Sequence, residues 1–132
     1  MTQEEKDLLL LDLCARLPYG VKILQGGVVM ETLQSICKIG DNDYTVNPNT
    51  NDMYNGFYIE QVKSYLRSLT SMTDEEKIEF SELDKNLENS FAWFPGISNM
   101  TKWLNQHHFD YNGLINRGLA IEVTDEFNPY KK

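Results

Sequence analysis

Near the N-terminus the apolar positions recur at helical spacing. Leu10, Leu13, Cys14 and Leu17 share one side, and Leu9 widens the stripe. The spacing predicts a helix over 2–16. Thr2 and Glu5 form the Ser/Thr-x-x-Glu pattern of a capping box, in which side chain and backbone satisfy each other's free amides. Pro18 stops this helix and Gly20 releases the backbone. Val21-Lys22-Ile23 then alternates as a strand does, and Gly26-Gly27 reads as a turn. The longest strand candidate is 28–39. It places Leu33, Ser35, Cys37 and Ile39 on one side and Thr32, Gln34, Ile36 and Lys38 on the other. The turn 40–43 leads to Tyr44-Thr45-Val46 as its hairpin partner.

Residues 47–55 are dense in Asn, Asp and Pro and read as an exposed loop. They do not make an EF-hand, because the ligand spacing is wrong and no Glu closes the loop. Gly56-Phe57-Tyr58-Ile59 can finish the sheet. From there Ile59, Val62, Leu66 and Leu69 suit a short helix better than a strand. A second capping box, Thr73 with Glu76, predicts a helix to about residue 89, with Ile78, Phe80, Leu83 and Leu87 on its apolar side. The segment 91–96 reads as an aromatic loop. Ser98 then caps a helix in which Met100, Trp103, Leu104 and His107 share a face. Asp110 caps a last short helix ending at Arg117, and Gly118 is its left-handed stop. Residues 119–123 are a final strand, and the polar segment 124–132 reads as a frayed tail.

Helices flanking a β-rich middle predict an α+β fold. A small antiparallel sheet would be packed by the N-terminal helix and the C-terminal helices, in one domain over 1–123. A chain of 132 residues can bury a core of its own. The two capping phrases, Met1-Thr2-Gln3-Glu4-Glu5-Lys6 and Met72-Thr73-Asp74-Glu75-Glu76-Lys77, are followed by divergent sequence. They read as one local solution used twice, not as a structural repeat.

Charge narrows the functions. A net charge of −8 opposes generic nucleic-acid binding, because acidic groups repel phosphates. Cys14 and Cys37 are too few and too far apart for a disulfide framework or a zinc motif, and read as small buried apolar residues. The Leu8-Leu9-Leu10-Leu11 run follows acidic residues and is shorter than a secretory signal, and no stretch has the length of a membrane span. A cytoplasmic protein with no membrane association is the expectation.

Candidate chemistry is sparse. His107, His108 and Asp110 cluster, but adjacent helical residues point about 100° apart and match no zinc spacing. No metal and no cofactor is therefore expected. The carboxylates Glu75, Glu76, Glu79, Glu82 and Asp84 read as a solvated helix face. No nucleophile motif or phosphate loop is present, and no catalytic residue is assigned. The strongest candidates for ligand or partner binding are Phe91, Trp93, Phe94, Trp103, His108 and Tyr111, since clustered aromatics line pockets or form contact hot spots. Stacking on bases would need a basic groove, and only Lys102 and Arg117 lie nearby.

Two segments carry a resemblance. Leu13-Cys14-Ala15-Arg16-Leu17-Pro18-Tyr19-Gly20-Val21 is one. His107-His108-Phe109-Asp110-Tyr111-Asn112-Gly113-Leu114-Ile115, continuing to Gly118-Leu119-Ala120, is the other. With Tyr65-Leu66-Arg67 and Ser71-Met72-Thr73, they resemble a family of short uncharacterised proteins from gut Bacteroidetes, often met near prophage or other mobile elements. The resemblance implies a bacterial or phage origin and carries over no catalytic residue. The resulting expectation is a non-enzymatic binding or accessory module with a protein partner. A small enzyme using the 91–94 loop and His107 or His108, and a structural virion or assembly component, are the alternatives.

Overall fold

Helix α1 spans Gln3–Arg16, and its start is fixed by the Thr2 capping box. The Glu5 amide donates to Thr2 Oγ1 at 3.1 Å, and the Thr2 amide donates to Glu5 Oε1 at 3.0 Å. The structure is a computed structural model and describes residues 1–48, 56–85 and 93–131. The buried side of α1 runs through Leu9, Asp12, Leu13 and Arg16. Cys14 is consequently exposed, not buried as its place in the leucine stripe suggests. One residue past Leu13 means about 100° of rotation, which carries its side chain off the buried face. Cys37 is half-buried in an outer strand.

The main sheet contains β1 (Lys22–Gln25), β2 (Val29–Thr32), β6 (Val62–Leu66) and β7 (Ala120–Glu122), in the order β2-β1-β6-β7. A second sheet has the order β3-β4-β5, from Ile36–Lys38, Tyr44–Val46 and Phe57–Tyr58. The fold is α+β. The sheet differs from the single antiparallel one expected, because there are two sheets and β7 pairs with β6 in parallel.

Three elements differ from the sequence expectation, each for a physical reason. The long strand 28–39 is two strands in different sheets. Asn47 makes the break: its Oδ1 accepts from the Gln34 and Ser35 amides at 2.8 and 3.2 Å, and its Nδ2 donates to the Thr32 carbonyl at 3.1 Å. One side chain thus replaces the ladder bonds lost where the chain changes sheets. The segment expected as a helix from Ile59 is a short 3₁₀ turn, Ile59–Gln61, followed by strand β6. Val62, Ser64, Tyr65 and Leu66 are all buried. With four of its five residues buried the strand shows no clean alternation, so its apolar spacing imitates a helix. Finally, residues 110–117 form turns, not a helix. Asp110 still acts as a cap, accepting from the Leu114 and Ile115 amides at 2.9 and 3.0 Å. Gly113, at φ 72°, interrupts any helical run.

Helix α2 (Asp74–Lys85) starts at the second capping box. The Glu76 amide donates to Thr73 Oγ1 at 3.1 Å and the Thr73 amide to Glu76 Oε1 at 3.0 Å. Ile78, expected on its apolar side, is exposed. Leu87 and the helix end expected near residue 89 lie outside the described residues. Helix α3 covers Trp93–Gln106, so it starts five residues before Ser98 and absorbs most of the expected aromatic loop. Pro95 is tolerated because the first turn has free amides in any case, and proline only removes one of them.

The core joins Leu9 and Leu13 of α1, Val21 and Ile23 beside and in β1, Val46 of β4, and Val62 and Leu66 of β6, with Leu33, Leu114 and Leu119 closing it. The C-terminal residues, read from sequence as a polar tail, carry two aromatic anchors. The Phe127 ring lies 5.5 Å from that of Tyr65. Tyr130 Oη accepts from the Lys22 amide at 2.9 Å and donates to the Tyr65 carbonyl at 2.6 Å. Tyr130 thus straps two neighbouring strands of the main sheet.

Candidate functional site

The aromatic candidates do not form one site. Phe91 lies outside the described residues, and Trp93 and Phe94 sit in the first turn of α3, placed by their backbone alone. Trp103 is 9% exposed. Its ring packs on Phe80 at 5.4 Å, on His107 at 4.2 Å and on Phe109 at 5.7 Å, nearly parallel to the last. Trp103 therefore acts as the contact that ties α3 to α2 and to the 107–110 segment. Tyr111 points elsewhere. Its hydroxyl donates to Asn105 Oδ1 at 2.7 Å, and the Arg16 guanidinium sits 5.0 Å from its ring centre. Burial pushes its phenol above the usual range.

His108 occupies a left-handed backbone position, φ 63°, where a non-glycine residue is uncommon. Two backbone bonds hold it: the Arg67 amide donates to the His108 carbonyl, and the Asp110 amide to the Arg67 carbonyl, both at 2.8 Å. Its ring stacks on Tyr130 at 3.7 Å, within 9° of parallel. Burial, followed by the positive charges of Arg16, His107 and Arg67, pushes its pKa down to about 4. At neutral pH it is an uncharged stacking surface. Its buried Nδ1 has no hydrogen-bond partner among the described residues. His107 turns the other way and lies 3.4 Å from Glu76 Oε2. The two histidines therefore do not converge. Among the described residues no group of three or more His, Cys, Asp and Glu side chains is placed to hold a metal ion. Nor is any described helix long and apolar enough to cross a membrane.

The most unusual polar cluster was not flagged by the sequence reading. Asp12 and Arg16 are fully buried. Arg16 Nε donates to Asp12 Oδ2 at 2.8 Å and Nη2 donates to the Phe109 carbonyl at 2.6 Å. Asn112 Nδ2 donates to Asp12 Oδ1 at 2.8 Å. A buried ion pair costs least when its remaining lone pairs and protons are also satisfied. Here the chain 109–112 supplies partners for Arg16 Nη2 and Asp12 Oδ1, while Arg16 Nη1 has none among the described residues. The signal in the sequence was an acid and a base four residues apart on the side of Leu9 and Leu13. The cluster's polar atoms are directed at each other and at backbone, which makes it a cross-link between α1 and the turn region. Arg67 makes a second one. It forks onto Glu76 at 2.8 and 2.6 Å while its guanidinium lies 4.2 Å over the Phe109 ring.

An apolar and open surface lies at the β1–β2 hairpin, where three consecutive apolar residues are exposed. Val28, Val29 and Met30 are 83%, 39% and 44% exposed. Gly26 and Gly27 allow the turn with φ of 61° and 74°. At Gly26 a Cβ would also meet the Phe57 ring at 2.7 Å, so the hairpin tip sits close on the second sheet. Register then assigns the faces. Ile23, Ser64 and Ala120 align in one row toward the core, while Met30, Leu24 and Lys63 align on the outer face, as do Tyr65 and Ile121. A groove of about 430 Å³ runs across that outer face, lined by Leu24, Gly26, Gly27, Gln61, Lys63 and Ile121. Sequence reasoning missed this surface because it placed Met30 inside a long strand whose faces could not yet be assigned. Comparison with protein-family models, with curated proteins and with solved structures finds no match to this chain.

Proposed function

We propose that this chain is a non-enzymatic binding or accessory module of a bacterium or its phage, and that it meets a protein partner through the β1–β2 hairpin and the outer face of the main sheet. One observation carries the reading. Three consecutive apolar residues, Val28-Val29-Met30, are exposed at the tip and edge strand of the hairpin, and Met30 lies opposite Leu24, which lines the outer groove with Ile121. Contiguous apolar surface of this kind is characteristic of contact sites. The buried polar groups support the same reading, because Asp12, Arg16, Asp110 and Tyr111 bond to side chains or backbone of this chain.

A photo-crosslinking amino acid at Val28, compared with one at exposed Glu79 on α2, tests this in bacterial cells. A discrete adduct from position 28 and none from position 79 supports the reading. Equal labelling from both positions, or none from position 28, counts against it.

A further inference from the structure

We infer that the outer edge of β2 accepts an added strand from a partner protein, and that the strand alternates apolar and basic residues. The inference rests on the binding-module reading and specifies its partner.

Two hydrogen bonds fix the direction in which the edge points. The Gly26 amide donates to the Gln61 carbonyl at 2.9 Å, on the β6 side of β1. By the alternation of antiparallel ladders, Leu24 also directs its amide and carbonyl toward β6. On the other side the Leu33 amide donates to the Val21 carbonyl at 2.9 Å, so Val21, Ile23 and Gln25 are the residues that bond to β2. Met30 lies opposite Leu24. Its amide and carbonyl therefore point away from β1, into the open edge. The same holds for Thr32, whose carbonyl already accepts from Asn47 Nδ2 at 3.1 Å. Among the described residues the edge is thus closed at the Thr32 end and open around Met30. Natural edge strands are usually blunted by lysine, proline or a bulge. Val28-Val29-Met30-Glu31 has none of these, β2 is the terminal strand of its sheet, and the one guard it carries is the inward-facing carboxylate of Glu31, which a basic strand would satisfy.

The two faces beside this edge define the side chains of an added strand. Residues pointing outward would lie beside Met30 and Leu24, which asks for apolar groups. Residues pointing inward would meet a cleft of about 390 Å³ lined by Gln25, Val29, Glu31, Asn47, Gly56 and Phe57. Glu31 supplies a carboxylate there, which among the described residues accepts one 3.2 Å bond, from Gln25 Nε2. A Lys or Arg at that position of the partner strand would pair with it. The net charge of −8 attracts a cationic segment at longer range. The same charge disfavours a second copy of this chain. An antiparallel self-pairing centred on Met30 would set Glu31 opposite Val29, with no cation to meet it.

The test uses fluorescently labelled six-residue peptides and the whole chain. One peptide alternates Val and Lys, one alternates Val and Glu, and a third is the Val–Lys peptide with alternate amides N-methylated. Met30→Pro removes the outward amide but no ladder bond, since edge strands accept proline where the amide faces solvent. Glu31→Gln removes the carboxylate. The expected result is binding of the Val–Lys peptide with amide shifts confined to 28–32, weakened about tenfold by N-methylation or by Met30→Pro. Glu31→Gln should weaken it less and reduce its salt dependence. Should Met30→Pro fail to fold, the N-methylated peptide carries the same test. Equal binding of the Val–Glu peptide, indifference to N-methylation, or no binding of the Val–Lys peptide overturns the inference. So does a wild-type dimer in sedimentation that Met30→Pro converts to monomer. If the peptides fail while position 28 still crosslinks, the strand-addition mode alone is lost; if both fail, the binding-module reading falls with it.

Discussion

Arg16 joins more parts of this molecule than any leucine in the core. It touches Asp12 within α1, the Phe109 carbonyl and the Tyr111 ring. Replacing it alone would leave Asp12 buried with Asn112 as its remaining partner. Arg16→Ala should therefore cost about 3–5 kcal/mol of stability in urea denaturation, because an uncompensated buried charge is the expensive outcome. Arg16→Leu combined with Asp12→Leu should recover much of that loss, because the two desolvation penalties disappear together. His108 gives a pH signature. Its folded pKa, about 4, lies below the ordinary histidine value near 6.5. Between those values the unfolded chain binds the extra proton, so stability is full above about pH 6.5 and declines as the pH falls toward 4. Allowing for its partial exposure, the decline attributable to this residue is about 2–3 kcal/mol. His108→Phe keeps a ring on Tyr130 and should flatten the urea midpoint across that window. Glu76, pushed down to about 2 by the Arg67 fork, acts lower: its contribution is present above about pH 4.5 and is lost from there toward 2. Neither residue was assignable from sequence in this respect. Glu76 owes its shift first to Arg67, nine residues upstream, and His108 owes its shift first to burial and then to Arg16, distant in the chain.

At the scale of elements, what could be read from sequence was what is decided locally. Both helix starts at Thr2 and Thr73 follow from four-residue patterns that satisfy their own amides. Thr73→Ala should lower stability by about 1 kcal/mol, read as a shifted denaturation midpoint. An unchanged midpoint would mean that Arg67 holds Glu76, and with it the helix start, unaided. The hairpin of β3 and β4 was legible for the same local reason. Elements set by distant partners were not. Strand β6 lies between β1 and β7, and burial of every residue but Lys63 erased the period that marks a strand. The division of 28–39 depended on Asn47, a side chain from beyond the next hairpin. Helix α3 was begun too late because the aromatic and proline content of 93–96 outweighed helical spacing, whereas Pro95 falls where a first turn accepts it. For the candidate site, Trp103, read from sequence as a binding candidate that shares a helix face with Met100, Leu104 and His107, packs in the interior. The hairpin surface was not legible, since exposure cannot be read before strand order is known.

For the whole molecule, charge makes the firmest statement. Twenty acidic residues against twelve basic ones set an unfavourable field for phosphates. Two of the basic ones, Arg16 and Arg67, are committed to carboxylates inside the fold. Lys6 likewise sits between Asp43 and Glu60 at 3.1 and 2.7 Å. We expect no tight binding to generic DNA or RNA at physiological salt in electrophoretic mobility shift. Submicromolar, salt-sensitive retardation of single- or double-stranded probes would contradict this. A basic strand of a partner protein, by contrast, meets a favourable field from the outset.

The strap at Tyr130 has a bearing on how the chain is made. Its hydroxyl closes onto Lys22, 108 residues upstream, and the central strand of the main sheet gains its second neighbour only at residues 120–122. During synthesis, β1, β2 and β6 can associate early, but β6 remains an open edge until residues 120–122 have left the ribosome. Contacts of such long sequence separation slow folding. An unpaired strand during that interval is exposed to pairing with other chains. Ribosome-bound chains halted short of residue 120 should thus be readily cut by protease within β6 and prone to aggregate, whereas the released full chain should resist.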